Sequence, residues 1–328
     1  MRLAVACNRS NRYQSGSDSP DDEFEEFDSP ETVESIARTI RECGHTVDIL
    51  EADHTFPAEL KRGRYDFVFN IAEGLKGRSR ESQVPAVCEM LGVPYSGSDA
   101  ITLGITLDKD LAKRVLKGAV PLPKGRVFKT FNEIDFSGFE FPIFVKPNTE
   151  GSSKGIRNSS RLTSVKGAKK RTIELMNEYK GPVLVEEFLP GMECTIGLIG
   201  NDKPRIIGIM EIAPKSVPPD KFIYSLETKR DYLNQVEYHI PARVPKKTLA
   251  KISKIAVDAF KMLECRDFAR VDIRLDRKGS PKFLEVNPLP GLSPIKGDLV
   301  ILSKAAGVDY HDLISEILDN SFSRNGLK

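Results

Sequence analysis

The feature that most restricts what this chain can fold into is a pair of alternating runs near its end, FARVDIRLD and PKFLEVN, joined by the turn residues RKGS. Side chains alternate across a strand. An antiparallel hairpin therefore puts Arg270 and Asp272 on the same face of one strand and Glu285 and Asn287 on the same face of the other, with Val271, Ile273, Phe283 and Val286 expected on the opposite side. Carboxylates gathered on one face repel each other unless a cation joins them. Hard oxygen donors in that number suit Mg2+, which takes carboxylates together with substrate phosphates. A solvated face with Arg270 simply paired to Asp272 is the alternative, and the apolar residues flanking it speak for a buried, metal-holding one.

The rest of the chain supplies the frame. At 328 residues it exceeds what a single core usually serves, so two or three subdomains are expected. Lys plus Arg number 49 against 47 Asp plus Glu, for a net charge of +2. That balance gives no general pull toward nucleic acid or a membrane surface. No stretch approaches the roughly 20 apolar residues of a membrane span. The five cysteines are scattered without a CxxC pair, as for reduced thiols in a cytosol, and a cytoplasmic location is expected. The four histidines are too dispersed to suggest zinc.

Short apolar runs (Leu3 to Cys7, Thr46 to Leu50, Asp66 to Ile71) alternate with helical patterns at about 31–43 and 81–91. This rhythm predicts a parallel sheet, because parallel neighbours need long crossovers. The polar, acidic segment at 8–30 is too long for an ordinary strand-to-helix loop and reads as a mobile surface loop or a lid. DKDLAKRVLKG predicts a helix closed by Gly118. Beyond it come a small α+β unit and then a larger antiparallel sheet with flanking helices. Boundaries are expected near 106 and 190, dividing the chain into 1–106, 107–190 and 191–328. The fold class is α/β followed by α+β.

Further stations carry chemistry. FVKPNTEGSSKGI delivers Lys146 from a strand into a Gly/Ser loop with Ser152, whose backbone amides suit a polyphosphate. Taken alone, such a loop is a solvated hairpin. VLVEEFLPGMECT places Glu186, Glu187, Phe188 and Leu189 at a strand end, with Glu193 beyond, where backbone could read an adenine edge and Glu193 a ribose. Lys109 by itself is a surface helix lysine.

Taken together, VPYSGSDAITLGITLDKDLAK, VKPNTEGSSKG, VEEFLPGME, RVDI and EVNPLPG, in this order and spacing, resemble the signature of the D-alanine-D-alanine ligase family of the ATP-grasp superfamily over nearly all of the chain after residue 65. The resemblance implies an ATP-grasp fold with a Rossmann-like N-terminal unit, ATP held between the other two, and an acyl phosphate made from one amino acid and attacked by the amine of another. It implies that Lys109, Lys146 and Lys229 contact phosphates, that Ser152 sits in the loop closing over them, and that Glu186, Glu187, Phe188, Leu189 and Glu193 hold adenine and ribose. It further implies that Asp272, Glu285 and Asn287 hold two Mg2+ ions, with Mn2+ as a substitute, and that Arg270 and the Gly291 amide stabilise the oxyanion. Small amino acids are the implied partners, cell-wall precursor synthesis the implied setting, and a homodimer the implied assembly.

The chain also departs from the family. CNRSNRYQ stands where a Gly-Gly-Thr/Ser turn and a substrate-orienting glutamate are usual, and NIAEGLKGRSRES stands for the His-Gly and Gly-Glu-Asp-Gly stretch. The added cations Arg78, Arg80, Arg230 and Lys296 are expected to line a pocket for a substrate richer in carboxylate than alanine, since arginine binds carboxylate bidentately.

Overall fold

The computed structural model describes residues 1–17 and 19–327, and its strands form three sheets. In the first, β1 (Arg2–Cys7) lies between β2 (Thr46–Glu51) and β3 (Phe67–Asn70), both pairings parallel as the alternation predicts. Between β1 and β2 runs α1 (Pro30–Glu42). Its start is set locally: Ser29 accepts a hydrogen bond from the Thr32 N–H, and Pro30 occupies the first turn, where its missing N–H costs nothing. Val33, Ile36, Ala37 and Ile40 recur at helical spacing and bury on the sheet. The other face is covered by α2 (Phe56–Gly63) and α3 (Gln83–Leu91).

The helix expected from DKDLAKRVLKG is the second of two. The chain forms α4 (Ala100–Leu107), breaks at Asp108, and resumes as α5 (Lys109–Leu116), because the Asp108 carboxylate caps Leu111 N–H. Gly118 closes it as expected: it follows the capping residue Lys117 with a left-handed φ of 91°, the conformation glycine supplies at a helix end.

A small antiparallel sheet follows, ordered β4 (Gly125–Phe128), β7 (Val183–Glu187), β5 (Ile143–Pro147), β6 (Arg161–Leu162), with α6 (Val165–Tyr179) on one face. The third sheet is wholly antiparallel. Its order is β10 (Val236–His239), β9 (Arg205–Pro214), β8 (Glu193–Ile199), β11 (Phe268–Leu275), β12 (Pro281–Asn287). Short helices α7 (Leu226–Arg230) and α8 (Tyr232–Gln235) precede β10, and α9 (Lys246–Met262) packs on the apolar face. The closing helices α10 (Asp298–Ala305) and α11 (Tyr310–Arg324) return to the first sheet, where Phe322 meets Phe67 edge-on at 4.9 Å. The two ends of the chain thus share one core.

Strict alternation does not by itself put Phe283 opposite Glu285, since both are odd-numbered. The structure does so with a bulge. Asp272 pairs with Glu285 and Ile273 with Phe283, leaving Leu284 unpaired, so Phe283 turns into the core and Glu285 out of it. No helix among the described residues is long and apolar enough to cross a membrane, and all five cysteines are free.

Candidate active site

Two cavities meet at the hairpin. One, of about 780 Å3 with its mouth, lies between the small and large sheets. The other, of about 830 Å3, lies toward the first sheet, and both are lined by Arg270 and Glu285.

The wall they share is the polar face of β11 and β12. Arg270 stands across from Asn287 in the ladder and Asp272 across from Glu285. The Arg270 guanidinium donates to Asp272 at 2.9 Å and to Asp298, at the start of α10, at 2.8 Å. Asp272 also accepts from the Thr195 hydroxyl at 2.8 Å, and the Asn287 amide approaches it at 3.4 Å. Lys109, delivered by α5, reaches 3.4 Å from Glu285.

The electrostatics are uneven. Burial opposes the charge on Glu285, yet Lys109, Lys146, Arg270 and Lys229 outweigh it and hold this carboxyl far below its usual range. Asp272 goes the other way: burial, with the charge of Glu285 against the pull of Arg270, pushes it up to about 6. Burial, then the Arg270 charge, lowers Lys229. Crowded acids of such different basicity, an amide alongside, and a buried Arg270 Nε with no partner form a face short of something to bind. The donor set of Asp272, Glu285 and Asn287 fits a hard divalent cation.

The first cavity holds the other expected residues. Lys146 and Lys113 both pair with the buried Glu186, Lys146 at 3.5 Å. Glu187 accepts from the Lys124 N–H at 2.9 Å, which fixes the strand end. The Phe188 ring, beside Leu189, is flanked by the guanidinium groups of Arg161 and Arg274, at 5.0 and 5.1 Å. Glu193 accepts from Arg274 at 3.0 Å. Ser152 and Gly291 lie in the second cavity, Ser152 on a left-handed turn with φ 45°.

The four added cations are not brought together, and the carboxylate pocket expected of them does not form. Arg78 lies 3.0 Å from Asp108, and Arg80 is buried against Glu26 at 3.1 Å, with both arginines facing a different surface recess. Arg230 is held by Glu25 at 2.7 Å and by Asp21 at 3.1 Å. Arg230 and Lys296 share a separate cavity, away from Arg78 and Arg80. The physical reason is that three of them already have counter-ions in the chain itself: Arg80 and Arg230 in the acidic segment, whose partners were unforeseeable in sequence, and Arg78 in Asp108.

That segment is docked, not free. Glu26 accepts from the Gly151 N–H at 2.7 Å and pairs with Arg80 and Lys154, while buried Asp22 accepts from Gly155 N–H, Arg157 and Tyr179. It clamps the Gly/Ser loop from above. Asp18 lies outside the described residues. Sequence reasoning also missed Arg274, Asp298 and Lys113, whose partners sit 81, 28 and 73 residues away.

A cleft between two antiparallel sheets, walled by lysines on one side and by a carboxylate hairpin on the other, is suited to a polyphosphate held with a divalent cation. The family model for the D-ala D-ala ligase C-terminus matches residues 126–319. A D-alanine-D-alanine ligase of Aquifex aeolicus is 32% identical over 88% of this chain and 94% of its own length. An uncharacterized protein of Sinorhizobium fredii is 31% identical over 99% of this chain and 98% of its own. The crystal structure of D-alanine-D-alanine ligase from Bacillus anthracis complexed with ATP superposes with a TM-score of 0.75 at 21% identity, covering 99% of both chains. The chain belongs to the D-alanine-D-alanine ligase family of the ATP-grasp superfamily.

Proposed function

We propose that this protein joins two amino acids through an acyl-phosphate intermediate, with ATP as the phosphoryl donor. The observation that carries this is the convergence of Lys109, Lys146, Lys229 and Arg270 on Glu285, where the two cavities meet. Positive charge is thereby concentrated where a transferring phosphoryl group spreads negative charge over its oxygens.

In this reading ATP lies in the cavity between the sheets, its adenine beside Phe188 and Leu189 and its ribose at Glu193. Lys109 and Lys146 hold the phosphates, and Ser152 belongs to the loop above them. Asp272, Glu285 and Asn287 would hold Mg2+, two ions by family likeness, and the bound metal neutralises phosphate charge. Arg270 and the Gly291 amide face the carboxyl carbon undergoing attack and stabilise its oxyanion, the kind of contribution that positioned donors make to acyl transfer. Lys229 sits on the phosphate side. The clamp made by Glu26 and Asp22 over the Gly/Ser loop keeps water from the acyl phosphate. The units 1–106, 107–190 and 191–328 then supply substrate pocket, nucleotide cover and catalytic floor.

Phosphate release from MgATP, screened against amino acids of both chiralities singly and in pairs, tests this. Release that requires two amino acids supports ligation, and release independent of any amino acid contradicts it.

A further inference from the structure

The second cavity carries more carboxyl groups than ligation in general needs. Its wall toward the first sheet holds Glu26, Asp28, Glu73 and Glu81. Glu26 is engaged by Arg80, Lys154 and the Gly151 N–H. Among the described residues no side-chain hydrogen bond or ion pair joins the other three to any group. Glu81 is only 8% exposed and lines the cavity without a partner.

The nearby cations do not relieve this. Arg80 gives its guanidinium to the Thr149 carbonyl and Glu26. Lys109 is directed to the Glu150 carbonyl and Glu285. Lys296 acts on Asp28 only through space. Burial consequently pushes Asp28 up to about 7 and Glu81 up to about 8, and burial followed by the charges of Glu81 and Glu26 pushes Glu73 well above the usual range.

A neutral amino acid brings a single ammonium, one cationic donor for three carboxyls without partners, whereas a second ammonium would favour their ionised form and supply the partner they lack. Polar groups lining a cavity this enclosed are normally hydrogen-bonded. We propose that one of the two amino acids joined here carries a further cationic group on its side chain, as a diamino acid does, and that Asp28, Glu73 and Glu81 receive it. This rests on the ligase reading and narrows its substrate class. It replaces the carboxylate-rich partner expected from Arg78, Arg80, Arg230 and Lys296, all but the last of which have acidic partners of their own.

The test is binding to protein loaded with Mg2+ and a non-hydrolysable ATP analogue, read by thermal shift. Lysine, ornithine and 2,3-diaminopropionate, in both chiralities, are compared with norleucine, alanine and glutamate. At least one diamino acid is expected to bind on the order of tenfold or more tightly than its uncharged counterpart, the scale of charged hydrogen bonds. The double variant Glu73→Gln, Glu81→Gln should bring that ratio close to one. Norleucine equal to lysine, or glutamate preferred, overturns the proposal. The same panel run for phosphate release separates the two claims: cation-selective binding without release for any pair defeats the ligase reading alone, whereas release driven by alanine or glutamate with no diamino preference defeats the cation site alone.

Discussion

Arg270 carries more of the site than any other single residue, because it is both buried and bidentate between Asp272 and Asp298. Its burial disfavours charge, but Asp272, Asp298 and Glu285 outweigh this and raise its pKa further, so it stays a cation throughout. Lysine at this position keeps the charge and loses the planar fork. Arg270→Lys is therefore expected to lower kcat by about a hundredfold or more, the loss seen when one oxyanion donor is removed, with the KM for MgATP within a few-fold of wild type. Steady-state kinetics decides it; a change confined to KM would mean that Arg270 only binds nucleotide. Glu285→Gln and Asp272→Asn should each abolish amino-acid-dependent phosphate release.

At the scale of elements, the docked acidic segment and the hairpin bulge show where sequence reading stops. Periodicity revealed the parallel unit, the small sheet and the β11–β12 hairpin, since each is a local pattern of two or 3.6 residues. Arg270, Asp272, Glu285 and Asn287 were legible for the same reason. The unpaired Leu284 was not read, although the adjacent apolar Phe283 and Leu284 break the alternation there, and neither were the pairings of Arg80 and Arg230, whose acids lie 54 and 205 residues away. Glu26 is the centre of that docking: burial works against its charge, but Arg80, Lys154 and the Gly151 N–H hold it at about 2. Glu26→Gln leaves Arg80 and Lys154 to share Glu150, which lies 3.5 and 2.5 Å from them, and takes the carboxylate from the Gly151 N–H, a loss of about 1–3 kcal/mol. The variant should be cut faster by protease within residues 13–25 and should release phosphate without ligating. Unchanged cleavage and intact coupling would show that the segment plays no part in closure.

For the whole molecule, stability should depend on pH through the unpaired acids of the second cavity. Asp28 and Glu81 keep their protons to about 7 and 8 when folded, but only to about 4 when unfolded. The folded chain then binds more protons than the unfolded one between those limits, so stability is greatest at the acid end and is lost as pH rises through the folded values. Melting of the ligand-free protein is predicted several degrees higher at pH 5 than at pH 8. Below about pH 4 the slope reverses, because Glu26 contributes only while ionised and that contribution is lost as pH falls toward about 2. The cores themselves are indifferent to pH, but they are tied together by fully buried Asp267, which accepts from Arg324, Ser321 and the Gly97 N–H at 2.7, 2.7 and 2.8 Å. Asp267→Ala should destabilise the fold by about 3 kcal/mol or more, measured by denaturant unfolding.

The account stands or falls on whether Asp272, Glu285 and Asn287 gather around a divalent ion that faces a triphosphate. Calorimetric titration of ATP into the protein, once with Mg2+ and once with a chelator, measures this directly. The affinity should be at least about a hundredfold higher with Mg2+, in keeping with several kcal/mol of charge neutralisation, and Asp272→Asn with Glu285→Gln should remove that difference. Equal affinity in both titrations would contradict the central claim.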